Sequence, residues 1–151
     1  MVEPRKRKHG WFHQHSLTVV SGSILTLWIC LYAVSSPSTH VGSFFGNAVA
    51  DWSGVVVMLL ATKYLYEKDS AESRRLPKSV LRPTLEFLRD HSLSIFLIIT
   101  GIGWVVLYAS VNSEGKWGQV VGNIVSEWTQ IFGVVLMTKR FIERHSKEST
   151  R

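Results

Sequence analysis

Residues 17–34 read LTVVSGSILTLWICLYAV, and residues 93–111 read LSIFLIITGIGWVVLYASV. Neither stretch contains an Asp, Glu, Lys or Arg. About 20 helical residues cross the hydrocarbon layer of a bilayer, so an uninterrupted apolar run of this length predicts a transmembrane helix. These two stretches decide the fold class, although the mean hydropathy of the whole chain is only +0.13.

Two further stretches, residues 41–62 and 117–138, have the length of a span, and each is interrupted by one acid, Asp51 or Glu127. Outside a membrane they would expose apolar runs such as VVVMLL at residues 55–60 to water. We therefore assign them as spans as well. The sequence predicts an all-α, polytopic membrane protein with four transmembrane helices.

The chain also contains an internal repeat. Residues 11–75 align with residues 87–151 at a constant offset of 76, without a gap, and 20 of the 65 pairs are identical. Each unit consists of two spans and a short loop, so each unit returns the chain to the side of the membrane where it began. The spans are therefore predicted to form two parallel tandem hairpin repeats, related by an axis along the membrane normal.

This repeat divides the chain into five segments. The linker between the hairpins contains Pro83, which suits the first turn of a short helix, and Leu85 and Leu88 would lay that helix on the membrane surface. The predicted segments are a basic cytoplasmic N-terminus (1–16), the first transmembrane hairpin (17–66), a cytoplasmic linker (67–91), the second transmembrane hairpin (92–142) and a cytoplasmic tail (143–151).

The distribution of positive charge predicts the topology. Of the 17 Lys and Arg residues, all but Lys116 lie in the N-terminal segment, in residues 63–89, or from residue 139 onwards. Short loops rich in Lys and Arg stay in the cytoplasm, so both termini and the linker are expected there. Topology and contact with the lipid bilayer account for the net charge of +6, and we expect no nucleic-acid partner.

The sequence contains no complete motif for chemistry. It has no Gly-rich phosphate loop, no nucleophile motif and no paired cysteines, and its single cysteine, Cys30, reads as a packing residue of the first span. Histidines cluster at His9, His13 and His15, but no Cys, Asp or Glu accompanies them at ligand spacing. We expect no enzyme activity, no cofactor and no metal site.

Small residues recur at every fourth position of the second helix in each hairpin. Residues four apart share a helix face, and small side chains there let two helices approach closely. We predict helix packing at these positions, within the chain or between chains. The positions are Gly42, Gly46, Ala50 and Gly54 in the first hairpin, and Gly118, Gly122 and Ser126 in the second.

The same two helices carry an amide and an acid four residues apart, Asn47 with Asp51 and Asn123 with Glu127. A carboxylate at the centre of a membrane helix costs on the order of 2.5–3.5 kcal/mol on insertion scales, so something must satisfy it. One hypothesis is a pair of functional carboxylates in the outer half of the membrane that exchanges protons or cations. In the favoured alternative the helices begin deeper in the chain, and the acids lie at the outer surface and bond neighbouring helix ends.

Lys63 and Lys139 lie twelve residues beyond these acids. That separation is about 18 Å along a helix, too far for a direct contact within it. The two lysines are expected to extend their ammonium groups to the inner membrane interface.

The repeated unit begins with His-Ser-Leu at His15 and His91, continues through Gly-Asn and an acid-Trp pair, and closes with Lys and Glu. It resembles an uncharacterised family of small bacterial membrane proteins with tandem two-span hairpins. The resemblance implies a bacterial cell membrane and implies no activity. Two functions remain open, namely an interaction or structural subunit or homo-oligomer, and a small proton or cation pathway.

Overall fold

The computed structural model describes residues 11–73 and 82–141, with side chains from residue 15 onwards. In these residues the chain forms five helices and no strand. The helices are α1 (Trp11–Val34), α2 (His40–Tyr64), α3 (Pro83–Asp90), α4 (Ser92–Ser110) and α5 (Lys116–Arg140). The predicted N-terminal segment up to residue 10 and the tail 143–151 lie outside the described residues.

Four of these helices, α1, α2, α4 and α5, are long and apolar enough to cross a membrane. The prediction of an all-α protein with four membrane-spanning helices is confirmed, and the chain is a multi-pass membrane protein. Large apolar side chains such as Leu27, Ile99 and Val106 are more than half exposed on α1 and α4, where lipid can cover them.

The second helix of each hairpin lies at the centre of the bundle. α1 packs against α2, α2 against α5, and α5 against α4. The central helices are the ones rich in small residues, and in α2 the consecutive residues Ala48, Val49 and Ala50 are buried. This arrangement follows from the sequence because small side chains allow one helix to contact two neighbours closely.

The starts of α1 and α4 and the ends of α2 and α5 lie at one end of the bundle, which we call the basic end. Lys63 Nζ lies 3.0 Å from His15 Nδ1, which joins the end of α2 to α1. The backbone N–H of Leu93 donates to the Tyr66 carbonyl at 2.9 Å, and the Tyr66 N–H donates to Ser92 Oγ at 2.8 Å. These bonds join the chain beyond α2 to α4.

The opposite end, with the two hairpin loops, is tied together by Lys116. Its Nζ donates to the carbonyl oxygens of Ala33 at 2.9 Å and Ser35 at 2.6 Å, at the end of α1. A cation is favourable at a helix C-terminus, where backbone carbonyls lack intrahelical partners. The Tyr32 hydroxyl in turn donates to the Lys116 carbonyl. The one Lys outside the predicted cytoplasmic regions therefore links the two hairpins.

The linker contains the short helix that Pro83 predicted. α3 has Pro83 at its start, Glu86 in its first turn and Arg89 in its last, and it packs against α4. Its apolar side chains Leu85, Phe87 and Leu88 are about half exposed. Leu85 and Leu88, three residues apart, share one helix face, which suits the membrane surface.

Candidate functional site

A line of polar side chains runs along the contact between α2 and α5. On each helix the residues recur at intervals of three or four, so they share one face. We call this set the polar stripe. It consists of Ser43, Asn47 and Asp51 in α2, and of Gln119, Asn123, Ser126, Glu127 and Gln130 in α5.

The two helices meet within the stripe through their aligned amides. Asn123 Nδ2 donates to Asn47 Oδ1 at 2.6 Å. Asn123 is partly buried and Asn47 is exposed, so the bond lies at the edge of the contact. It satisfies one donor and one acceptor and leaves the other polar atoms of both amides to be satisfied elsewhere.

The two acids lie at the middle of their helices. α2 begins at His40 and α5 at Lys116, so Asp51 and Glu127 are each the twelfth of 25 residues. They lie about 16 Å from the helix start, in helices about 37 Å long. The helices therefore do not begin deeper in the chain, as the favoured alternative required, and its placement of the acids at the outer membrane surface stays a prediction. Asp51 is exposed on the surface of the bundle, and Glu127 is partly buried.

Neither carboxylate forms an ion pair with any of the described residues. A carboxylate in the low-dielectric interior of a membrane needs a proton, a cation or a hydrogen-bonding partner.

Gly54 makes room for Glu127. A Cβ atom at Gly54 would lie 2.7 Å from Glu127 Cγ and 2.9 Å from Ile131 Cδ1, so a larger residue would displace them. A groove of about 290 Å³ lies between α2 and α5 and extends from Glu127 to Glu72, in the segment beyond α2. The groove is lined by Gly54, Val55, Met58, Glu72, Glu127, Gln130, Ile131 and Val134.

The other glycines of the two rows lie inside the hairpins. A Cβ at Gly46 would lie 3.0 Å from Tyr32 Cε2, and a Cβ at Gly122 would lie 3.0 Å from Tyr108 Cε2, so the same contact occurs twice.

The first glycine of each row faces its own loop. A Cβ at Gly42 would overlap the Ser36 carbonyl oxygen, and one at Gly118 would overlap that of Asn112. Ala50 is almost fully buried. Ser126 is different, because it is exposed and belongs to the polar stripe.

A second polar site, at the basic end, was not predicted. Residues 65–73 fold back from the end of α2 and place the Glu67 side chain in the protein interior, with no exposed surface. Its Oε1 pairs with Lys139 Nζ and lies 2.8 Å from His91 Nδ1, and its Oε2 accepts the Ser94 backbone N–H at 2.9 Å. One carboxylate thus joins the chain beyond α2 to the start of α4 and the end of α5.

Glu67 is held in its charged form. Burial by itself raises the pKa of Glu67, but the hydrogen bonds from Lys139, His91 and Ser94 outweigh burial, and the net pKa lies below the ordinary value. The Lys139 ammonium group, which was predicted to extend to the inner membrane interface, is bound by Glu67 at the basic end. Lys63, the aligned lysine, lies beside His15 instead.

The sequence contained a signal for this site. His91 and Lys139 are predicted at helix ends on the same side of the membrane, and Glu67 lies in the segment that connects them. An acid in a segment assigned to water gives no indication of burial, because linkers normally carry exposed charges. The pairing of Glu67 with His91 and Lys139 can therefore be predicted only when the start of α4 and the end of α5 are known to lie side by side.

No family model matches the chain, and searches of the curated proteins and of the solved structures find no match. The resemblance to tandem-hairpin membrane proteins therefore stays a prediction. The function is inferred from the two polar sites.

Proposed function

We propose that this protein is a non-enzymatic membrane subunit that associates with a second copy of itself through the polar stripe. The observation that carries the proposal is the exposure of Asp51 at the middle of a membrane-spanning helix. Ionisable residues inside a membrane almost always face a protein partner or a wet cavity, because lipid cannot solvate them. The residues that the structure describes leave this side chain uncovered.

The stripe is suited to pair with itself. Its exposed members in addition to Asp51 are hydroxyl and amide side chains, and these groups can both donate and accept hydrogen bonds. A twofold interface brings the same surface of two subunits together, so each polar group must find a hydrogen-bonding partner among the same groups of the other copy. The exposed hydroxyls and amides are Ser43, Asn47, Gln119, Ser126 and Gln130.

Replacing Asp51 with Leu tests whether this surface forms the dimer. Hydrogen bonds between membrane helices contribute about 0.6–1.7 kcal/mol, so we expect the dissociation constant of the dimer in mild detergent to rise about 3- to 20-fold. Val41→Leu is the matched control, because Val41 is exposed on the same helix outside the stripe. Unchanged association of Asp51→Leu would place the interface elsewhere.

A second function, a proton or cation pathway, is favoured by one observation. The groove between α2 and α5 connects Glu127 at the middle of the bundle with Glu72 near the basic end. Reconstituted protein would then conduct, and replacing both Asp51 with Asn and Glu127 with Gln would abolish pH-dependent flux into liposomes. Absence of flux with the parent protein, or flux unchanged in the double variant, rejects conduction and leaves association.

The same proposal places the protein in a bacterial cell membrane with the basic end in the cytoplasm. The placement of Lys and Arg supports this orientation, and the resemblance of the repeated unit supports the compartment.

A further inference from the structure

We propose that the basic end binds the phosphate group of an anionic phospholipid. A cavity of about 410 Å³ opens there between the chain beyond α2, the start of α4 and the last turns of α5. We call it the basic cavity. It is lined by Lys68, Asp69, His91, Leu136, Lys139 and Arg140.

The charge of the basic cavity matches a phosphate. Three cations, Lys68, Lys139 and Arg140, face one acid, Asp69, which gives a formal charge of +2 with His91 neutral. The buried Glu67 carboxylate, which contacts Lys139 and His91 of the cavity, reduces this formal charge to +1. An ammonium supplies three donors and a guanidinium a planar fork, and both suit the oxygens of a phosphate.

Two of the cavity's side chains are positioned by the protein before any ligand arrives. The buried carboxylate of Glu67 holds both the Lys139 ammonium and His91 Nδ1. Both side chains remain partly exposed, at 21% for Lys139 and 29% for His91. The Glu67 carboxylate is thus an internal anchor that fixes the positions of both side chains, and this lowers the conformational entropy that they lose when a phosphate binds.

The surroundings favour a lipid as the source of the phosphate. Leu136, one turn before Arg140, is an exposed apolar side chain on the membrane-spanning helix α5. On the other side α3 leads into His91 and exposes Leu85, Phe87 and Leu88. A headgroup in the basic cavity would leave its acyl chains beside these apolar surfaces. Basic pockets between membrane helices at the cytoplasmic side are known to bind anionic headgroups.

The test uses the full chain in a mild uncharged detergent and native mass spectrometry with three probes. These are phosphatidylglycerol, phosphatidylcholine and inorganic phosphate. We expect retention of phosphatidylglycerol in preference to phosphatidylcholine. Equal retention of the two lipids overturns the proposal, and binding of inorganic phosphate without phosphatidylglycerol overturns the assignment to a lipid.

Substitutions of the cavity's basic residues test whether the lipid binds in the basic cavity. Lys68 and Arg140 are exposed and do not contact the Glu67 carboxylate, so their replacement by Gln leaves the anchor in place. Each basic residue near an anionic lipid changes affinity about fivefold, so the double variant should bind phosphatidylglycerol about 25-fold more weakly. Lys63→Gln removes a charge from the same end, outside the basic cavity, and should stay within about twofold of the parent. A double variant that binds as the parent does overturns the proposal.

Discussion

Replacing Glu67 with Gln tests whether the buried carboxylate holds the basic end together. The change removes the negative charge and preserves the size of the side chain. The Ser94 backbone N–H can still donate to the amide oxygen, whereas Lys139 loses its counter-charge and His91 loses a charged acceptor. The test therefore isolates the charge from the packing.

The structure gives the magnitude of the loss. A hydrogen bond to a charged group contributes about 1.5–3 kcal/mol, and breaking one partner of a buried ion pair costs about 3–5 kcal/mol. Lys139 is 21% exposed, so its ammonium can turn to water when the carboxylate is removed. We therefore expect Glu67→Gln to lower the free energy of unfolding by about 2–3 kcal/mol.

The assay is reversible unfolding of the purified protein in mixed micelles with increasing sodium dodecyl sulfate. Glu86→Gln is the matched control, because Glu86 is 46% exposed and lies 3.8 Å from Arg89. An exposed pair of this kind contributes about 0–1 kcal/mol. If Glu67→Gln loses no more than Glu86→Gln does, the carboxylate does not stabilise the basic end.

The same carboxylate predicts a pH dependence. The pKa of Glu67 in the folded protein lies below 4.5, its ordinary value. A depressed pKa stabilises the folded state above the ordinary value, and this stabilisation is lost as the pH falls through the folded pKa. As the pH falls below 4.5 the parent should progressively lose this increment of stability, and Glu67→Gln should not.

Two further predictions concern topology and packing. A cysteine at Ser38 should react with a membrane-impermeant reagent from outside intact cells and one at Ser73 should not, and the reverse pattern would invert the topology. Gly46→Leu should lower the free energy of unfolding by about 1–3 kcal/mol, because its Cβ would press on the Tyr32 ring. Gly103→Leu, with nothing within 4 Å of its Cβ, should leave it nearly unchanged, and equal stability of the two variants would contradict the packing.

Much of the fold could be predicted from the sequence because apolar and charged residues are segregated along the chain. Four spans follow from their lengths, and α3 follows from Pro83. The start of α2 also had a local signal, since the Thr39 hydroxyl accepts from the Gly42 N–H at 3.0 Å and caps the helix. Local features of this kind can be read without knowing what the segment packs against.

The candidate sites depended on contacts between distant residues. The sequence identified Asp51 and Glu127 as unusual, but their depth and the exposure of Asp51 depend on where the helices begin and which face α5 covers. Glu67 was missed because its burial requires α4 and α5 to meet beyond the end of α2. Neither fact follows from periodicity or composition.

The most direct test of the central claim, that a second copy covers the polar stripe, is disulfide cross-linking in the membrane. Cys30 is the only cysteine of the chain, so Cys30→Ala gives a cysteine-free background. Ser43→Cys, an exposed position of the stripe near the start of α2, should form a covalent dimer under mild oxidation. Ile99→Cys, on the exposed apolar surface of α4, should remain monomeric. A Ser43→Cys protein that stays monomeric while Ile99→Cys forms the dimer would contradict the account.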